Sequence, residues 1–442
     1  MADTSTKDTT HKWSDWLSRR EFLKTSAVVS ATAFVSGCAG LERRQAPGIL
    51  HPEHKPEKLR VGVIGCGGRG TGAAMDCVNS SPNVEIVALG DLFQDRLDES
   101  RKALAKLGEA LQVTDDRCFV GFDAYEGVLA CDIDMAIMAP PPHFRPLHFR
   151  AAIEAGKHVF MEKPVAVDPV GVRSIIASSE LAAQKGLAIV AGTQRRHQPA
   201  YLKTMKRIHD GAIGEIVAAQ CYWNQGALWV KEKKPGWSDM EWQCRNWLYF
   251  CWLSGDHIVE QHVHNIDVVN WAMQSPPVKA VGMGGRQVRT DPEYGNIFDH
   301  FSVEYEYPNG ARVLSMCRQI PGTSHRVSER LVGTKGVANP NGEIKGKRRY
   351  KYEPKGEPVN PYVREHADLI ASIRGGKPLN EGKRIAESTL TAIMGRMSAY
   401  TGREISWGWV MNSSELDLTA PAYEFGDLPV APVPIPGETK LI

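Results

Sequence analysis

The run Leu59-Arg60-Val61-Gly62-Val63-Ile64 leads without interruption into Gly65-Cys66-Gly67-Gly68-Arg69-Gly70. A short apolar run closed by glycines at this spacing predicts a buried strand, a tight turn and a helix that continues from Thr71 to Val78. Gly65 would allow the turn, Gly67 would let backbone amides approach a pyrophosphate, and Gly70 would let helix and strand pack closely. Gly68 and Arg69 complete the turn, and an anion would sit on the helix N-terminus. Alone the motif is weak, because any glycine-rich turn can match it. A second apolar strand, Val84 to Leu89, ends at Gly90-Asp91. That places a carboxylate about 20 residues beyond the glycines, where it can bind a ribose 2′-hydroxyl and repel a 2′-phosphate. The pair of signals predicts a dinucleotide site for NAD in preference to NADP.

The alternation of strand and helix continues through a helix near 95–107, a strand at 133–138, the loop Pro140-Pro141-Pro142-His143, a helix through Ala151-Ala152-Ile153 and a strand at 158–161 that runs into Glu162-Lys163-Pro164. A helix at 170–185 and a strand at 188–191 follow. This is the pattern of a doubly wound parallel α/β sheet, a Rossmann domain over 59–192. In such sheets ligands lie outside the carboxyl ends of the strands, so Pro140, His143, Glu162 and Lys163 are candidate cofactor contacts and Lys163 is placed over the cofactor. Trans is the default for Lys163–Pro164, although a cis bond there would aim the lysine.

After Gly192 the composition changes. Strand-like stretches at 215–222, 278–283, 298–307 and 311–319, with turn signals such as Pro308-Asn309-Gly310, predict a second α/β domain over 193–405 built on a mostly antiparallel open sheet. Helices at 362–374 and 383–400 close it, and the proline-rich segment 406–442 reads as an extended tail. The chemistry of this half centres on 255–267. If the segment is one helix, Glu260, His264 and Asp267 share a face. A histidine there can take a proton from an alcohol near neutral pH while a carboxylate one turn away orients it. The same spacing also suits a polar helix whose histidines are merely hydrogen-bonded. His257, His262 and His264 with Glu260 lack a second ligand cluster, so no metal site is assigned. Trp223, Trp229, Trp237, Trp242, Trp247 and Trp252 are drawn from 11 tryptophans in the chain. Aromatic faces suit the C–H faces of a sugar ring, so this stretch is a candidate carbohydrate platform, with loop packing or an oligomer interface as common alternatives. Trp223 and Arg196 join Lys163, His264 and Asp267 as candidate substrate contacts.

Composition narrows the partners. The 442 residues carry 53 basic and 51 acidic side chains, a net charge of +2. That balance offers no broad cationic surface for a nucleic-acid backbone. The 9 cysteines include no CxxC pair and are too sparse for a disulfide scaffold. At the N-terminus, Arg19-Arg20-Glu21-Phe22-Leu23-Lys24 precedes a mildly apolar, small-residue stretch from Ala27 to Gly37 that is too short to span a bilayer. It reads as a twin-arginine export signal over 1–37, engaging the Tat machinery. Val35-Ser36-Gly37-Cys38 resembles a lipoprotein cleavage box, which would put a lipid anchor on Cys38, and prolines 47, 52 and 56 make 38–58 an extended arm. The expected location is therefore the periplasm, with or without that anchor.

The glycine run at 63–70, Ala155-Gly156-Lys157-His158-Val159-Phe160-Met161-Glu162-Lys163-Pro164 and the Glu260-x-x-x-His264-x-x-Asp267 segment together resemble the Gfo/Idh/MocA oxidoreductases over roughly 59–405. The resemblance implies a homo-oligomer, dimer or tetramer, formed through the open sheet. It implies a sugar or polyol substrate oxidised at a secondary carbinol by NAD, with His264 as general base and Lys163 stabilising the developing oxyanion. Relatives often carry aspartate where this chain has Glu260, which leaves three roles open for Glu260: proton relay, orientation of His264, or a substrate hydroxyl. Export adds the expectation of tightly held NAD, recycled by a second substrate. A redox-neutral glycoside-cleaving enzyme working through a transient keto-sugar ranks below this, since the Tyr-Pro-Thr-His-Gly stretch associated with such glycosidases is absent. A non-catalytic carbohydrate-binding lipoprotein with structural NAD ranks lower still.

Overall fold

A computed structural model describes residues 58–354 and 356–442. The export signal, Cys38 and nearly all of the arm lie outside the described residues. Strands β1 (Leu59–Ile64), β2 (Val84–Asp91), β3 (Cys118–Val120), β4 (Met135–Met138), β5 (His158–Met161) and β6 (Ile189–Ala191) form one parallel sheet in the order β3-β2-β1-β4-β5-β6. Strands of such a sheet are covered on both faces, which explains why β4 is buried at every position and β1 at all but one. The order reverses between β1 and β4. The loops that follow these two strands, at Gly65 and Pro140, therefore open a crevice at the switch point.

The second domain is a nine-stranded sheet, β14-β13-β12-β11-β7-β10-β9-β8-β15, made of β7 (Ile216–Gln225), β8 (Lys279–Gly285), β9 (His300–Glu306), β10 (Arg312–Gln319), β11 (Arg326–Gly333), β12 (Gly336–Asn339), β13 (Glu343–Gly346), β14 (Tyr350–Lys351) and β15 (Ile405–Ser406). It is antiparallel apart from the pairing of β7 with β10. Residues alternate along β8, β9 and β10. The inner set, such as Ala280, Val303 and Val313, is buried, and the buried helix Gly382–Thr401 packs on this sheet. The outer set leaves Val217, Val281, Met283 and Leu314 exposed, with an Arg312–Glu304 ion pair among them. Among the described residues no helix is long and apolar enough to cross a membrane.

The tail begins with a short helix, Trp407–Asn412, and then runs without regular structure. It is nevertheless a packed strap. The Leu418 N–H donates to Asp168 Oδ2 at 2.8 Å and Gln243 Nε2 donates to the Leu428 carbonyl at 2.6 Å. Phe425 stacks on Phe93 of the first domain with centroids 5.9 Å apart.

Candidate active site

Each glycine at the end of β1 meets a different constraint. Gly65 has φ +89°, and a Cβ there would lie 2.5 Å from Pro140 N. A Cβ on Gly70 would lie 1.8 Å from the Gly65 carbonyl oxygen, so the helix Gly68–Ser80 can approach its strand only without a side chain. A Cβ on Gly67 or Gly68 would meet nothing within 4 Å, so both face open space. That open edge borders a cleft of ≈ 480 Å³ lined by Gly65, Gly67, Gly68, Arg69, Asp91 and Pro140 from the first domain, and by Trp229, Lys231 and Trp247 from the second. The size falls within the range of about 300–1,000 Å³ typical of ligand pockets.

Asp91 closes β2 in the cleft wall. Its Oδ2 accepts the Cys66 N–H at 2.6 Å and its Oδ1 accepts the Phe93 N–H at 2.9 Å. Burial raises its pKa against the pull of those two backbone donors. Each carboxylate oxygen keeps acceptor capacity for a ribose hydroxyl. An open glycine edge at a helix N-terminus, with a carboxylate at the end of the next strand, fits NAD.

Arg69 spans several elements. It pairs with Glu162 at 2.5 Å, with Glu365 of the helix Pro361–Arg374 at 3.1 Å, and with Asp76 at 3.5 Å. Glu162 is thus held by Arg69. Of the loop residues expected beside the cofactor, Pro140 lines the cleft, Glu162 and Lys163 are outside its lining, and so is His143. It is buried edge-on to Trp252, with Nε2 2.8 Å from the Tyr423 hydroxyl of the tail, and burial pushes its pKa down to about 4. The strap therefore gives His143 a packing role.

The Lys163–Pro164 bond is cis. Lys163 Nζ donates to the Glu260 carbonyl oxygen at 2.5 Å and to Glu260 Oε1 at 2.9 Å, and both side chains are 10% exposed. Glu260 Oε2 is buried without a partner among the described residues. The imidazole of His264 is half-buried, lies against Trp223 (centroids 5.6 Å apart, 20° between planes), and makes no hydrogen bond among the described residues. Burial, then the charges of Lys163 and Arg195, holds its pKa well below the usual histidine value, so the ring is neutral at pH 7. Lys163 is thus held by Glu260, His264 rests on Trp223, and the Lys163 charge acts on the His264 ring.

The trans default for Lys163–Pro164 gives way to cis, and the single helix over 255–267 gives way as well. The segment is not one helix: His257–Glu260 ends, the His262 N–H reaches back to the His257 carbonyl at 3.1 Å, and a new helix runs Val263–Met273. The buried rings of His257 on Asp256 and His262 on Ser315 fix this break. Asp267 and Arg196, expected to touch substrate, are bonded to each other. Arg196 donates to both Asp267 oxygens at 2.8 and 3.0 Å, while Arg384 and Ser388 add bonds at 3.1 and 2.8 Å. Burial opposes ionisation of Asp267, but Arg196 and Arg384 outweigh it and bring its pKa to about 2. Of the tryptophans, Trp223 alone of the named set contacts His264; Trp242 is buried, and Trp229 and Trp247 face the nucleotide cleft. Arg195, which pairs with the buried Glu329 and lies over Trp223, had no sequence signal beyond its charge.

Comparison with known proteins places these elements. Residues 59–193 match a model described as oxidoreductase family, NAD-binding Rossmann fold, and residues 201–339 match the GFO/IDH/MocA C-terminal domain. The chain is 24% identical over 285 residues to a scyllo-inositol 2-dehydrogenase (NAD(+)) of Bacillus subtilis, covering 63% of this chain and 72% of that protein. It is 31% identical over 163 residues to an inositol 2-dehydrogenase of Klebsiella pneumoniae, covering 37% of this chain and less than half, 45%, of that protein. The structure of an aldose-aldose oxidoreductase from Caulobacter crescentus shares the fold, with TM-score 0.62 and 18% identity over 79% of this chain and 99% of that one.

Proposed function

The chain belongs to the Gfo/Idh/MocA oxidoreductase family, an NAD-binding family, and from that premise we propose that it oxidises a secondary CH–OH carbon of a sugar or polyol. The observation that carries the reading is the meeting of a restrained lysine with an unrestrained neutral histidine: Lys163 tied to Glu260, and His264 resting on Trp223. An ammonium has three donors. Two of Lys163's are taken by Glu260, and the third is left for the substrate oxygen, where it stabilises negative charge as the hydroxyl proton leaves. His264 accepts that proton on a free ring nitrogen. Trp223, beside His264, is an aromatic ring of the kind that suits the apolar side of a sugar ring. Glu260 acts as a positioning residue for Lys163. NAD, held along Gly67, Gly68 and Asp91, supplies the two-electron acceptor when bound.

The reading extends to place and assembly. The twin-arginine segment supports export to the periplasm with NAD tightly held, Val35-Ser36-Gly37-Cys38 supports a lipid anchor, and the exposed apolar positions of the nine-stranded sheet support a homo-oligomer. The test is mass spectrometry of the nucleotide released when the purified protein is denatured, followed by a carbohydrate and inositol screen of the same preparation by nicotinamide absorbance. Oxidation of a polyol or sugar that disappears in K163M and H264Q is the expected result. Aglycone release from aryl glycosides without net change in nicotinamide would replace this reading with the redox-neutral one, and protein free of nucleotide that turns over only with added NAD would remove the tight-cofactor part. Fractionation of cells expressing the full chain, or the same chain carrying R19K together with R20K, tests export.

A further inference from the structure

Four cationic side chains line the nucleotide cleft, and three are paired. Arg69 is held by Glu162, Arg96 by Glu99 at 3.0 Å, and Arg245 by Asp95 at 3.0 Å and Glu241 at 2.9 Å. The fourth, Lys231, comes from the second domain, and its ammonium makes no hydrogen bond or ion pair among the described residues. Its backbone is the opposite case. The Lys231 N–H donates to Asn246 Oδ1 at 2.9 Å, and its carbonyl accepts from Trp242 Nε1 at 2.8 Å. Two residues earlier, the Trp229 carbonyl accepts from the Tyr249 hydroxyl at 2.9 Å, and the Trp229 ring meets Trp247 edge-on at 6.1 Å. Asn246 is fully buried and Trp242 nearly so. Buried side chains thus fix the main chain of an irregular segment and leave its lysine head free at the edge of the other domain's cleft. Burial, then the neighbouring Arg96 and Arg245, lowers the Lys231 pKa, a cost that a bound anion would relieve.

We propose that the segment 226–238 is a cofactor clamp, in which Lys231 pairs with the negative charge of the bound dinucleotide and Trp229 covers it, so that the second domain slows nucleotide release. This rests on the NAD reading above. In NAD the negative charge is the pyrophosphate, and a charge-assisted bond made by a preorganised donor acts mainly on the dissociation rate.

The test uses the full chain loaded with NADH, chased with excess NAD+ and followed by nicotinamide fluorescence. K231Q should release NADH about tenfold faster than wild type at low salt, as expected for loss of one partly buried charged contact. K231R should stay near wild type, W229A should also release faster, and the K231Q deficit should shrink as salt screens the pair. Because Lys231 Nζ has no partner among the described residues, nucleotide-free K231Q should melt with wild type. Equal release from wild type and K231Q overturns the clamp and leaves the NAD reading intact. A deficit confined to NADPH overturns it too, by placing the lysine on a 2′-phosphate. Wild type that takes up no NADH overturns the NAD reading and the clamp together.

Discussion

Lys163 Nζ lies 2.5 Å from the carbonyl oxygen and 2.9 Å from Oε1 of Glu260, so a single residue holds the site's lysine by main chain and side chain at once. The reach of the longer carboxylate goes to the lysine, and the His264 imidazole is left without a hydrogen bond among the described residues.

E260Q keeps the carbonyl contact and an amide oxygen but removes the charge. The expected outcome is a fall in kcat of roughly 10- to 100-fold with a smaller change in KM, because the positioned ammonium matters most where charge develops on the substrate oxygen. H264Q, which removes the proposed proton acceptor, should cost about 10²–10⁴ in kcat. Steady-state kinetics with matched melting curves separates the two, and an E260Q enzyme with unchanged kcat would sink the positioning role.

Two glycines of the same motif should fail in different ways. G67A adds a Cβ that meets nothing within 4 Å in the protein, so the fold should survive while NAD affinity drops. G70A puts a methyl 1.8 Å from the Gly65 carbonyl oxygen and must push helix from strand, so its melting temperature should fall even without nucleotide. Thermal melts and NAD titration of both variants check the split.

The motif was legible because its constraints are local. Gly65, Gly67 and Gly70 answer to the backbone geometry of one turn, and Asp91 to the end of the neighbouring strand. Helical spacing placed Glu260, His264 and Asp267 on one face, and that failed for a non-local reason. His262 is drawn to Ser315 on β10 and His257 to Asp256, which ends one helix before the next begins, while Asp267 is claimed by Arg196 and Arg384 from distant segments. Likewise the prolines of the tail gave no sign of the helix Trp407–Asn412 or of the tail's contacts, since Tyr423 and Phe425 meet Phe122 and Phe93 only in the folded molecule. Lys231 carried no signal because its significance lies in what its ammonium lacks.

Asp267 should behave as a structural ion. D267N leaves Arg196 and Arg384, 13% and 22% exposed, short of the charge that balances them. Breaking a buried pair by removing one partner typically costs about 3–5 kcal/mol. Denaturant unfolding should show a loss of that order, with KM of the folded enzyme near wild type. A normal unfolding midpoint together with a raised KM would return Asp267 to the substrate site.

The buried histidines set an acid limit on stability. His366 packs on Phe160 with ring centroids 4.0 Å apart, both its ring nitrogens are buried without partners among the described residues, and burial, then the charge of Arg69, pushes its pKa down to about 3. His148 and His262 are depressed to about 3 as well. A histidine with a lowered folded pKa binds its proton more readily in the unfolded chain. Stability is therefore full above the unfolded pKa of about 6.5 and falls as pH drops through the window between that value and the folded pKa. Each such group contributes a slope approaching 1.4 kcal/mol per pH unit, or about 2 kcal/mol between pH 6.5 and 5. H366L removes one titration while keeping an apolar side chain against Phe160. Whatever its packing cost at pH 8, its unfolding free energy should fall by about 2 kcal/mol less than wild type between pH 6.5 and 5. Denaturant curves at several pH values measure the two slopes, and parallel curves would show that His366 is not held neutral by the fold.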